Sequence, residues 1–166
     1  MLNNKITLGL FTILLTSCVT TSNIPTEISS GIPDDANVIN LYSTESPSDF
    51  YTTIYRHLAS RGFGFTQENP EMGTLTTDFI PIDKGYSLQI NIFIDEIENE
   101  SVASLRGKWG FTRTRGAIAS TLTGGNFEGS AEFIRWGGDS NMKYIFGEMA
   151  VIANKIEHQR LEYISD

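Results

Sequence analysis

A chain of 166 residues with 40% hydrophobic and 11% aromatic content can fill one ordinary domain core. Its formal net charge of −8 argues against nucleic acid as a partner, because phosphate binding needs clustered Lys and Arg, and against docking on anionic lipid through the protein surface. The single cysteine excludes an internal disulfide, and no Cys/His cluster has zinc spacing.

The chain opens with a short polar stretch and Lys5, followed by the apolar run Ile6–Leu15, which has the length of a signal-peptide core and is too short to span a bilayer. Leu15-Thr16-Ser17-Cys18 follows directly. An aliphatic residue, two small residues and a cysteine in that order resemble the bacterial lipobox. The resemblance implies cleavage before Cys18, a diacylglycerol thioether on its sulfur, and stable anchoring once two or more acyl chains are attached. The residue after the cysteine is Val19 and not Asp, which by the same resemblance leans toward the outer membrane, facing the periplasm. The expected organisation is therefore a signal peptide over 1–17, a lipidated end and flexible tether over 18–37, rich in Thr, Ser, Pro and Gly, and one domain over 38–166.

Within that domain, Val38–Tyr42 has strand composition. Ser46-Pro47-Ser48-Asp49 then supplies an N-cap, a first-turn proline and a capping-box-like acid, and Gly62 a stop, predicting a helix over Pro47–Arg61. Phe50, Ile54 and Leu58 recur on one face of it. Strands are expected at Phe63–Gln67 and Gly73–Ile82, with Asn69-Pro70 turning between them and Asp83-Lys84-Gly85 closing a hairpin. Ser87–Ile97 alternates, with Leu88, Ile90, Ile92 and Ile94 on one side and Gln89, Asn91, Phe93 and Asp95 on the other. Ser101–Thr112 does the same, setting Ala103, Leu105, Trp109 and Phe111 against Ser104, Arg106 and Lys108. Gly116–Asn126 reads as a long loop and Phe127–Trp136 as a further strand. Asp139-Ser140 caps a last helix whose apolar positions run from Met142 to Ile156.

The expected fold is α+β: an antiparallel sheet of four to five strands with two helices packed on one face, in the order β-α-β-β-β-(β)-α. Leu58-Ala59-Ser60-Arg61-Gly62-Phe63 at the end of the first helix, Gly73–Phe79, and the two alternating strands together resemble the helix-grip, or TBP-like, domains of envelope lipoproteins, such as the domain repeated in the BamC lipoprotein. This is a resemblance of fold and carries no site residues across.

Chemistry is sparse. His57 and His158 have no second ligand at helical spacing and are read as packing residues, the latter in the frayed end of the last helix. Asp95–Glu100 lacks the ladder of a calcium loop and reads as a solvated hairpin turn. No phosphate loop or nucleophile elbow occurs, so neither an enzyme nor a cofactor or metal is expected. Arg106, Lys108, Arg113 and Arg115 form the one basic concentration. They either pair across strands with Asp95, Asn91 and Gln89 or make a site for an acidic partner on the sheet's open face. Phe93, on that same face, either contributes to a partner-binding surface or lies under the Gly116–Asn126 loop. The leading expectation is a membrane-anchored, non-enzymatic module that binds an envelope protein, and the rival is a domain holding a small lipid or glycan.

Overall fold

The computed structural model describes residues 24–82, 85–112, 132–137 and 139–166. Cys18, Arg113, Arg115, the Gly116–Asn126 loop and Asp83-Lys84 lie outside the described residues. The chain is mixed α+β: α1 (Thr26–Ser29), β1 (Val38–Ser43), α2 (Pro47–Ser60), β2 (Phe65–Asn69), β3 (Thr74–Thr77), β4 (Ile80–Ile82), β5 (Tyr86–Ile97), β6 (Glu100–Phe111), β7 (Glu132–Phe133), α3 (Ser140–Ala153) and β8 (Arg160–Ile164). The strands form one antiparallel sheet in the order β2-β3-β5-β6-β1-β8. The short β4 continues beside β3 along β5, and β7 continues beside β1 along β6.

Both long helices start where their caps dictate. Ser46 Oγ accepts from the Asp49 amide at 3.2 Å, and Asp139 accepts from the amides of Asn141 and Met142 at 2.8 and 2.9 Å. Helix α2 stops at Arg61, after which Gly62 takes φ +83°, a left-handed turn that glycine enters without penalty.

The alternation read from β5 and β6 sets the layers. Leu88, Ile90, Ile92 and Ile94 are buried with Ala103 and Leu105 against Phe50, Ile54 and Leu58 of α2 and Ile145, Phe146 and Met149 of α3. Each large side chain fully withdrawn from water there contributes about 1.5–3 kcal/mol. On β6 the inward row is interrupted by Gly107, where a Cβ would lie 2.3 Å from Ile134 Cδ1 and 2.9 Å from Met149 Sδ. The missing side chain lets Ile134 and α3 settle directly on the strand.

The sheet is larger than the four to five strands expected, and the described helices are three rather than two. The last helix ends at Ala153, and the chain turns back so that Arg160–Ile164 pairs with β1 as an edge strand. His158 accordingly sits in that turn, its Nδ1 at 2.6 Å from the Ile156 carbonyl, and not in a helix end. The strand expected over Gly73–Ile82 is two strands, because the register against β5 shifts by one residue between Thr76 opposite Asn91 and Ile80 opposite Leu88. Residues 24–37, expected as tether, carry α1 and lay Ile32 and Ala36 into the core. Ile24 packs on Gly147 of α3, where a Cβ would come within 2.0 Å of it. The packed domain therefore includes residues ahead of Val38. Among the described residues no helix is long and apolar enough to cross a membrane.

Candidate functional site

Because α2 and α3 cover one side of the sheet, every second residue of the central strands points away from them. The register fixes which residues share that outer face. Asn40, Ser104, Phe93 and Thr74 form one row across the strands; Arg106, Asn91 and Thr76 form the next; Lys108 and Gln89, with Phe133 of β7, form a third. Phe93, Arg106 and Lys108 are thus brought onto one surface, as the alternation implied.

Three phenylalanines stand out from this face: Phe93 is 50% exposed, Phe133 58% and Phe79 42%. Isolated exposed apolar residues are ordinary, but three aromatic rings on the face turned away from α2 and α3 form a surface of the kind that protein interfaces favour. Rise and strand spacing put Phe93 and Phe133 roughly 16 Å apart. The ground between them is polar: Gln89, Asn91, Ser104, Arg106 and Lys108. Gln89 Nε2 donates to the Thr77 carbonyl at 3.0 Å, and Ser104 Oγ donates to Asn40 Oδ1 at 2.9 Å.

The two cations are not equivalent. Arg106 forms an ion pair with Asp166 near the chain's end, both side chains 46% exposed, so its charge is already balanced. Lys108 Nζ lies 4.8 Å from the centre of the Phe133 ring, and no carboxylate pairs with it among the described residues. The cross-strand partners are the amides Asn91 and Gln89. Asp95, also expected opposite the cations, instead faces Val102.

The acidic run Asp95–Glu100 forms the exposed β5–β6 hairpin, with Glu98 and Asn99 as its two turn residues at φ +54° and +69°. Ile97, 54% exposed, projects from its outer side opposite Glu100. Glu100 is neutralised by Arg160 at 3.1 Å, and the Arg160 guanidinium stacks 3.6 Å from the Tyr42 ring.

The helix-covered side carries a second feature, an open groove of about 580 Å³ lined by Arg61, Gly62, Phe63, Ile80, Pro81 and Ile152. His57 lies one helical turn before Arg61, and its buried Nε2 has no hydrogen-bond partner among the described residues. Burial holds its pKa below the ordinary value, and the Arg61 and Lys155 cations push in the same direction. Both cations follow the last turn of a helix, where they offset the carbonyl ends of α2 and α3.

Alternation in the sequence placed Phe93, Arg106 and Lys108 on this face but not Phe79 and Phe133. Unbroken alternation from Leu75 would bury Phe79; the register shift turns it outward, where its ring lies 3.8 Å from a Cβ built on Gly110. Phe133 sits in a two-residue strand with no periodicity to read. No protein-family model matches the chain, and no curated protein matches it in sequence.

Proposed function

We propose that this chain is a lipid-anchored cell-envelope protein, held on a membrane through Cys18, whose domain binds another protein through the outer face of its sheet and catalyses nothing. The observation that carries the binding surface is the trio Phe79, Phe93 and Phe133, exposed on the side of the sheet opposite α2 and α3, with Lys108 over the Phe133 ring and no carboxylate paired to it among the described residues. Aromatic side chains, phenylalanine among them, are enriched in protein interfaces relative to the rest of the surface. The lipobox-like Leu15-Thr16-Ser17-Cys18 carries the anchoring, and the α+β sheet agrees with the helix-grip resemblance in class. An outer-membrane position facing the periplasm follows from Val19 by the same resemblance.

Anchoring is tested by metabolic labelling with a palmitate analogue: the wild-type chain takes label and Cys18→Ser takes none. Equal labelling of both overturns the anchor. A second reading, a domain that holds a small lipid, rests on the groove beside Phe63, Ile80 and Ile152, whose volume falls in the range of ligand sites. Native mass spectrometry of the purified protein separates the two, since a bound lipid adds a discrete mass that Ile152→Trp would abolish.

A further inference from the structure

We infer that the partner of the outer face is a second copy of this chain, bound face to face about a two-fold axis that crosses the strands. The inference rests on the protein-binding reading above and names its occupant. Three properties of the face support it: the layout of charge, the placing of exposed apolar side chains and the available area.

Charge is distributed unevenly along the strands. At the hairpin end the face carries Asp95 and Glu100, with Arg160 paired to Glu100 and Glu162; at the other end it carries Lys108. A two-fold axis perpendicular to the strands reverses their direction, so the acidic end of each copy falls on the cationic end of the other. With Asp95 opposite Val102 and Gln89 opposite Lys108, the midpoint between Asp95 and Lys108 is the row of Ile92 and Leu105. Phe93 is one residue from that row, so the rings of the two copies meet at the axis, where an aromatic anchor is best shielded from water.

The same operation carries Ile97 onto the row of Ser87 and Gly110. That row is capped by an apolar ring: Ser87 is only 7% exposed, and a Cβ built on Gly110 would be 3.4 Å from Ser87 Oγ and 3.8 Å from the Phe79 ring. The exposed Ile97 of one copy thus meets the Phe79 ring of the other, apolar against apolar, twice about one axis.

The area is sufficient. Strands β5 and β6 have 12 residues each, so the face is about 40 Å long, and four strand positions make it about 19 Å wide. The flanking positions are only partly filled, by β3 and β4 on one side and β1 and β7 on the other, which leaves about 620 Å², at the lower end of the roughly 600–1,000 Å² per partner of a stable interface.

The test is charge reversal in the full-length chain, purified from membranes in mild detergent, with the protein's mass measured by light scattering over a dilution series. The wild type is expected at twice the chain mass. Lys108→Glu and Asp95→Lys should each weaken the dimer roughly tenfold or more, because each reverses two symmetry-related pairs. The double variant restores the attraction in the opposite sense and should recover most of the wild-type affinity. Asp95 is exposed and Lys108 half-buried with its ammonium over the Phe133 ring, and circular dichroism should show all variants folded. A wild type with the mass of one chain, or a double variant no tighter than the singles, overturns self-association. The broader reading is judged separately by a crosslinker at position 93: a crosslink to a different protein preserves it, and no protein crosslink removes it as well.

Discussion

Gly107 and Gly110 sit three residues apart on β6 and point to opposite faces of the sheet, so a methyl group added at each reports which face is covered. At Gly107 the new carbon would lie 2.3 Å from Ile134 Cδ1, 2.7 Å from Ile134 Cγ1 and 2.9 Å from Met149 Sδ, all far inside contact distance. The clashing atoms are side-chain ends, yet Ile134 is 1% exposed and Met149 0%, so neither has room to retreat. Overpacking of this kind costs about 1–3 kcal/mol. For Gly107→Ala we expect about 2 kcal/mol of lost stability, or roughly 4–8 °C in melting temperature for a chain of this size. At Gly110 the nearest atoms are at 3.4 and 3.8 Å, ordinary spacing, and alanine restricts the unfolded chain more than glycine. Gly110→Ala should therefore be neutral or more stable by about 0.5 kcal/mol. Ile134→Val alone should cost about 0.5–1.5 kcal/mol. Combined with Gly107→Ala it removes the atom at 2.3 Å, so the pair should be less destabilising than the sum of the singles by about 1 kcal/mol. Urea unfolding measures all four. Equal effects at Gly107 and Gly110, or strict additivity with Ile134→Val, would refute the placement of α3 on the inward face.

Two further outcomes follow from local geometry. Asn99 sits at φ +69° in the β5–β6 turn, where a β-branched side chain is strained; Asn99→Val should cost about 1–2 kcal/mol in urea unfolding, and Asn99→Gly nothing. His57 is held below its ordinary pKa in the folded chain, so on acidification the unfolded chain takes up its proton first, near pH 6.5. The stability that this contributes is complete above that pH and is lost as pH falls through 6.5 toward the folded-state value. His57→Gln should flatten the wild type's pH dependence of the urea midpoint between about pH 7.5 and 5.5; parallel curves would show that His57 is not the group responsible.

The parts of the fold legible in the sequence are those where periodicity and caps agree. Ser46, Pro47 and Gly62 bracket α2, and the alternations Leu88–Asp95 in β5 and Ala103–Phe111 in β6 assign two faces without help from distant contacts. Strand β8 was hidden because Ile156 continues the apolar spacing of α3; it is buried by the turn after the helix and not by the helix itself. Its own alternation, Leu161 and Tyr163 against Arg160 and Glu162, spans too few residues to compete with that longer pattern. The segment ahead of Val38 has loop composition, and what orders it is tertiary: Ile24 on the bare backbone of Gly147, and Ile32 and Ala36 in the core.

For the candidate site, alternation placed Phe93 with Lys108 and Arg106 but could not reveal that Asp166 balances Arg106, a contact across 60 residues. Nor could it reveal Phe79, whose direction depends on a register shift that leaves no mark in the residue pattern.

The central claim is that the outer face of the sheet holds a protein. A photo-crosslinking amino acid at position 93 of the full-length chain, activated in intact cells, tests it most directly, with the exposed helix position Ala59 as control. The account predicts a discrete crosslinked protein species from position 93, at the mass of two chains, and none from position 59. No protein crosslink from position 93, or the same pattern from both positions, would contradict it.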